Sequence, residues 1–228
     1  MKKFLLPFLS ALLVASFAPR AAAAPTRAEC VTRVLSCEAI LREFQANPEY
    51  AVPASVLQQA KALIIVNQFK AGFFFGVKEG YGVIMVKKPG GRWSLPVLIS
   101  AGEASFGLQI GAKAVETVLV ITDEHTPRLL FNTHFNVGVD AKAVIGPKGA
   151  EVERNNQSIV SAPVLVYSKS KGLFAGATVK AGFLSRDDKA NFALYDTQYR
   201  LPELLYSDWV QPIPEVTPLM DYAQKIAP

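Results

Sequence analysis

The feature that most constrains this chain is an abrupt change of hydrophobic texture near residue 61. Before it, apolar residues recur at helical spacing. After it come short apolar or alternating runs separated by turn-forming residues, the pattern of a half-buried or fully buried sheet. Leu63–Val66, Gly72–Val77, Tyr81–Val86, Trp93–Leu95, Ser105–Ile121, Val137–Val144, Val164–Tyr167 and Phe174–Phe183 read as strands. Lys88-Pro89-Gly90-Gly91 is the clearest hairpin turn, because Pro and Gly supply the backbone angles of a reversal. Short helices are predicted at Thr126–Phe131, with Thr as cap and Pro in the first turn, and at Asp187–Tyr195. From Leu201 on, Pro202, Pro212, Pro214 and Pro218 predict turns and short helices. The expectation is an α+β fold: a predominantly antiparallel, curved β-sheet or barrel-like module with N-terminal helices and short C-terminal helices.

Cys30, Val34, Cys37, Leu41 and Phe44 follow steps of four and three, one stripe of a helix over roughly residues 26–46 that Asn47-Pro48 ends. A second short helix is predicted from Pro53 to about Lys61. Seven helical residues separate Cys30 from Cys37 by ~10.5 Å along the axis, beyond the ~7 Å reach of a disulfide. Two buried thiols are the simpler reading. An oxidising compartment keeps open a pairing through a frayed first turn or between chains.

The amino terminus predicts an export signal over residues 1–24: Lys2 and Lys3, then Phe4–Phe17, then Ala22-Ala23-Ala24 before Pro25. Residues 25–200 are expected to form a single domain and residues 201–228 a C-terminal extension, in the periplasm or outside the cell. The chain's net charge of +5 is largely carried by the first 24 residues; without them 21 basic residues face 19 acidic ones. A balance of +2 gives little support to nucleic-acid binding, which needs a basic domain or face.

Gly72, Gly76 and Gly80, with Gly107/Gly111 and Gly172/Gly176, recur at steps of four. That spacing serves a membrane helix zipper, but in this setting it marks places where another layer approaches a curved sheet. Catalytic signatures are poor. Gly102–Gly107 imitates a nucleophile elbow at Ser105 but has Glu103 where glycine is required. His125 and His134 form no HExxH pattern, and no phosphate or dinucleotide loop is present. No catalytic residue, metal ligand or cofactor is expected.

Between Lys61 and Arg92 six cations face one acid, Glu79, a local charge of +5. Phe73, Phe74, Phe75, Tyr81 and Trp93 interleave with them. The bland reading is a solvated face over core aromatics. The functional one is a basic aromatic surface for an anionic phospholipid membrane, where each cation contributes ~1 kcal/mol and rings insert. Its contacts would be Lys70, Lys78, Lys87, Lys88 and Arg92, with Phe74 and Trp93 as wedges. Acids collect later, at Asp187, Asp188, Asp196, Glu203, Asp208, Glu215 and Asp221, either to orient the domain on a surface or to neutralise the basic part internally.

The order of short motifs is more specific than any one of them. Ala60-Lys61-Ala62-Leu63-Ile64-Ile65, Lys70-Ala71-Gly72-Phe73, Gly80-Tyr81-Gly82-Val83, Trp93-Ser94-Leu95-Pro96, Gly107-Leu108-Gln109-Ile110-Gly111, Gly146-Pro147-Lys148-Gly149 and Tyr167–Gly176 together resemble the SYLF, or Ysc84 actin-binding, domain family over about residues 30–197. The resemblance implies a non-enzymatic lipid-binding module, since relatives bind phosphoinositide membranes and some bind actin filaments. Val77, Glu116 and Ala150 depart from the family pattern. For an exported chain the resemblance implies anionic phospholipid as the ligand. The alternative is a structural or protein-interaction module that binds a protein partner, actin-like or a second copy of itself.

Overall fold

The computed structural model describes residues 24–72, 75–106, 111–132, 134–136, 140, 142–146, 162–171 and 183–228. Apart from Ala24, the expected export signal lies outside these residues, as do Phe73, Phe74, Ser161, Gly107, Gly172 and Gly176 and most of the strands expected at 137–144 and 174–183.

Helix α1 (Arg27–Ala46) starts where Thr26 and Glu29 form a reciprocal capping box: Thr26 N donates to Glu29 Oε2 (2.7 Å) and Glu29 N to Thr26 Oγ1 (3.3 Å). Thr26 N and the Thr26 hydroxyl (3.0 Å) both donate to Glu29 Oε2 and hold the Glu29 carboxyl below its ordinary range, the backbone donor contributing most. The stripe Cys30, Val34, Cys37, Leu41 and Phe44 is buried as its spacing predicts, joined by Ile40. Helix α2 (Ala54–Leu57) follows Pro53 and is shorter than expected.

Eight strands then build one sheet: β1 (Ala62–Gly72), β2 (Phe75–Val86), β3 (Val97–Phe106), β4 (Gly111–Ile121), β5 (His134–Asn136), β6 (Ala143–Ile145), β7 (Val164–Lys171) and β8 (Phe183–Arg186). Their spatial order is β5-β8-β3-β2-β1-β4-β7-β6, antiparallel throughout except for β6 on β7, and the sheet curls into a half-barrel. Two expectations needed correction. Trp93–Leu95 is not a strand but a single bridge, Lys87 to Trp93, because the turn at Lys88–Arg92 closes on itself before a ladder can extend. β3 starts at Val97, well before Ser105. Gly72 ends β1 while Gly76 and Gly80 lie in β2, so the fourfold glycine spacing spans two strands rather than a helix. At Gly80 a side chain would strike Gln68, in the neighbouring strand, at 2.7 Å.

A 3₁₀ turn (Thr126–Phe131) and three helices, α3 (Asp188–Tyr195), α4 (Leu201–Tyr206) and α5 (Thr217–Ile226), complete the chain. Ala62–Val66, Val83–Val86, Val97–Ile99, Val118–Ile121 and Val164–Val166 are buried residue after residue, so both faces of this end of the sheet are covered. Helix α1 covers one face, packing on β1 and β2 beside α3 and α5. Residues after 200 belong to the same core: Leu201, Leu204, Leu205, Val216, Leu219, Ala223 and Ala227 are all but fully buried.

A polar row borders this dry block on the α1 face. Ser185, Ser100, Tyr81, Asn67, Glu116 and Lys169 are directly paired across β8, β3, β2, β1, β4 and β7. Tyr81 Oη donates to Ser36 Oγ of α1 (3.0 Å), and Asn67 Nδ2 donates to Tyr81 Oη (3.2 Å). Arg33 pairs with Asp187 (3.3 Å), and Lys169 bridges Glu43 and Glu116. Polar groups removed from water keep their hydrogen bonds this way, and α1 gains a defined register on the sheet.

Asn191 continues a ladder where a strand stops. β8 pairs with β3 only as far as Ile99, and at the next residue Asn191 Oδ1 accepts from Leu98 N (2.8 Å) while Nδ2 donates to Leu98 O (2.8 Å) and Asp187 O (2.9 Å). Asn191→Ala strands both groups of Leu98 in a dry site, so a loss of about 2–4 kcal/mol in urea-unfolding free energy is expected. The thiols offer a second check. Both cysteines are unpaired and buried, and burial pushes the Cys37 thiol up to about 12. Neither should react with a thiol reagent at pH 8 until denaturant opens the core, when two equivalents per chain should appear.

Candidate functional site

The expected basic aromatic surface divides between the two ends of β2. Lys70 and Lys78 are register partners, and Lys113 of β4 pairs with Lys70 from the other side. Lys87, Lys88, Arg92 and Trp93 belong to the hairpin at the opposite end, nine residues from Lys78 or roughly 30 Å of strand. Only the hairpin group has described side chains, and its geometry differs from a free cationic face.

The turn is built from Gly90 and Gly91, at φ 94° and 81°, backbone angles that side chains other than glycine rarely adopt. Lys88 N donates to Arg92 O (2.8 Å) and closes the loop. The cations flanking it turn toward the C-terminal segment. Lys88 Nζ donates to Asp208 Oδ1 (2.8 Å) and Ser207 O (2.6 Å), leaving its side chain 12% exposed. This bond, with the Lys88 charge behind it, holds the Asp208 carboxyl below the ordinary carboxylate range. Lys87 Nζ donates to Pro228 O (2.7 Å) and lies 5.4 Å from the Trp93 ring centroid. Desolvation, then the neighbouring Lys61 charge, pulls the Lys87 ammonium down from its ordinary value.

Trp93 is buried, and its indole N–H donates to Ala227 O (2.9 Å). It packs the hairpin against α5 and has no free edge to insert as a wedge. Gln224 Nε2 donates to Gly91 O (3.2 Å) and adds to the same latch. One late acid, Asp208, thus neutralises Lys88 of the basic region internally, while two others pair with cations of α1, Asp187 with Arg33 and Glu215 with Arg27 (2.9 Å). Arg92 alone of the four remains exposed, and among the described residues it has no ion pair or side-chain hydrogen bond, though its charge adds to that of Lys88 in holding the Asp208 carboxyl down.

Hairpin and C-terminal segment leave a groove of about 610 Å³ between them. Trp93, Leu95, Val210 and Met220 give it an apolar lining, and Arg92 and Asp221 contribute charge. Beside it stands the residue that the sequence reading missed. Trp209 is 66% exposed, more than any other large hydrophobic residue described, and its ring lies 5.1 Å from that of Tyr199, itself 41% exposed. The signal was present: Trp209 sits in a turn-rich stretch before Pro212 and Pro214, where no helical or strand period offers an aromatic ring a buried stripe. His125 is exposed in the loop before the 3₁₀ turn, and Ser105 and His134 occupy separate strands, β3 and β5.

Trp93→Phe keeps the ring's bulk and removes the indole donor. An expected loss of about 1–2 kcal/mol should appear as faster amide exchange in α5, with the exchange of β1 unchanged.

Comparison with known proteins converges on one family. The family model described as "Ysc84: Las17-binding protein actin regulator" matches residues 102–226, from within β3 to the end of α5. "SH3 domain-containing YSC84-like protein 1" of Homo sapiens is 30% identical over 179 residues, covering 76% of this chain and 52% of the human protein. Its Xenopus laevis counterpart is 29% identical over 180 residues, with 76% and 54% covered. "LAS seventeen-binding protein 3" of Saccharomyces cerevisiae is 31% identical over 175 residues, with 75% and 38% covered. The chain thus spans about half the length of these vertebrate relatives and less of the yeast one. No solved structure matches it. The matched segment carries β3, β4, the late helices and most of the groove, and the chain belongs to the Ysc84 family.

Proposed function

We propose that this chain is a non-enzymatic interaction module, acting in an exported compartment, that binds a protein partner through the face carrying Trp209. The observation that carries the reading is the exposed Trp209–Tyr199 pair beside an apolar groove. Trp and Tyr are the residues most enriched among interface positions that dominate binding energy. A ring left two-thirds in water has little to contribute to the fold, whereas covering it on association removes apolar surface from water at roughly 25 cal/mol per Å². The family description names an actin regulator and a Las17-binding protein, and one relative is called an SH3 domain-containing protein; actin filaments are accordingly the first partner to test.

A second reading, peripheral binding to anionic phospholipid, is favoured by one specific observation. Lys78, Lys70 and Lys113 occupy directly opposed positions on three adjacent strands, with Glu103 at the end of the row. Like charges facing one another across strands are destabilising, and an anionic headgroup would relieve that repulsion. If so, the triple variant K70Q/K78Q/K113Q loses sedimentation with phosphatidylglycerol vesicles. Equal, salt-insensitive binding to phosphatidylcholine vesicles would exclude the electrostatic mechanism.

For the leading reading, the chain should pellet with actin filaments, and W209A/Y199A should weaken that association about tenfold or more without changing the urea midpoint. A wild-type chain that stays in the supernatant and runs as a monomer in sedimentation velocity would overturn it. So would a double variant that pellets as well as the wild type.

A further inference from the structure

We propose that the groove between the hairpin and α5 receives an extended segment of a protein partner carrying an acidic and a basic side chain on either side of an apolar one, with Arg92 and Asp221 as its two charge contacts. This rests on the protein-binding reading above and assigns the site and the chemistry of the segment that occupies it.

The charges of the groove sort into two classes. Lys88 is held by Asp208 at 2.8 Å and by Ser207 O, so the ammonium is unavailable to a ligand, whereas Asp208 keeps an exposed side chain. Arg92 and Asp221 are exposed, and among the described residues neither makes an ion pair or side-chain hydrogen bond, although the Arg92 charge helps hold the Asp208 carboxyl down. One projects from the hairpin and the other from α5, so the open charges are of opposite sign on the two walls. Between them lie the apolar groups of Leu95, Val210 and Met220, with the buried Trp93 also in the lining.

That arrangement discriminates among occupants. An anionic bilayer surface is net negative, so the exposed Asp221 and Asp208 would oppose it. A uniformly acidic or uniformly basic segment satisfies one wall and is repelled by the other. A segment with both signs meets both walls, and such complementarity governs partner choice and register more than raw affinity. The volume, about 610 Å³, lies in the range of pockets that enclose small ligands, ~300–1,000 Å³. It therefore suits a few residues of extended chain. Trp209 lies in the chain between the lining residues Asp208 and Val210, which sets the aromatic pair next to the groove without making it part of the lining.

The probes are fluorescein-labelled, end-blocked pentapeptides titrated with the full chain and read by anisotropy: Glu-Leu-Pro-Leu-Lys, its reverse Lys-Leu-Pro-Leu-Glu, and the Gln-, Glu- and Lys-only versions. One of the two mixed peptides should bind about tenfold more tightly than the three uniform ones, as expected for complementary rim charges. R92E and D221K should each remove that preference, and R92E/D221K should transfer it to the reversed peptide. Equal binding of all five peptides, absence of binding at millimolar concentration, or a preference that survives R92E overturns the proposal, as does displacement of the bound peptide by phosphatidylglycerol vesicles. The two readings fail separately. Loss of actin pelleting in W209A/Y199A, with no charge preference in the peptides, would leave the interaction module standing and remove the groove. A clear charge preference in a chain that does not pellet with actin but self-associates in sedimentation velocity would keep the groove and make a second copy, rather than actin, its partner.

Discussion

Burial of five strands from both sides at one end of the sheet leaves the remaining elements little freedom. Ala62–Val66 and its neighbours on β2, β3, β4 and β7 expose nothing, so helices must close both faces there. The amphipathic stripe of α1 answers one side of that demand, and the late helices are drawn into the same core. A chain whose last thirty residues were merely an appendage would not bury Val216, Leu219, Ala223 and Ala227 completely. The position of the hairpin, the latch at Trp93 and the groove beside it all follow from where α5 has to sit.

The polar row shows how the dry block is bounded. From Ser185 to Lys169 the sheet changes from hydrocarbon to hydrogen-bonding groups along a single line of register partners. Ser36, Arg33 and Glu43 of α1 meet that line with matching groups. Apolar packing holds the helix down, but it is directionless. The hydrogen bonds and ion pairs choose one sliding position among several that hydrocarbon contact alone would tolerate, because a mismatched polar group in that layer would lose its partner.

Family membership and surface chemistry contribute differently to the functional reading. The Ysc84 match concerns the scaffold, and relatives covering 38% to 54% of their own length with this domain carry other parts as well. Function has to be argued from the site that this chain presents. What it presents near its most exposed tryptophan is mixed in charge, with cations such as Lys88 already engaged by the chain's own acids. At the far end of β1 and β2 three lysines occupy opposed register positions on adjacent strands, about thirty ångströms of strand from the groove.

Much of the fold was legible because it depends on local pattern. The stripe Cys30, Val34, Cys37, Leu41, Phe44 defines α1 by period alone, the Pro-Gly-Gly turn defines the hairpin, and Asp187 caps α3 as expected, whereas Thr126 lies inside the 3₁₀ turn, marked by Pro127, rather than capping it. The site was legible only in part. Lys88, Arg92 and Trp93 stand out as cations beside an aromatic, but a string of residues carries no information about what lies against them. Lys88 became an internal tether and Trp93 a buried latch because two segments more than a hundred residues later, the turn after α4 and the end of α5, pack against the hairpin. Local periodicity is set by neighbours a few bonds away and survives in the sequence. Which charges are neutralised, and which rings reach water, is decided by contacts between distant segments, and only the folded chain brings those segments together.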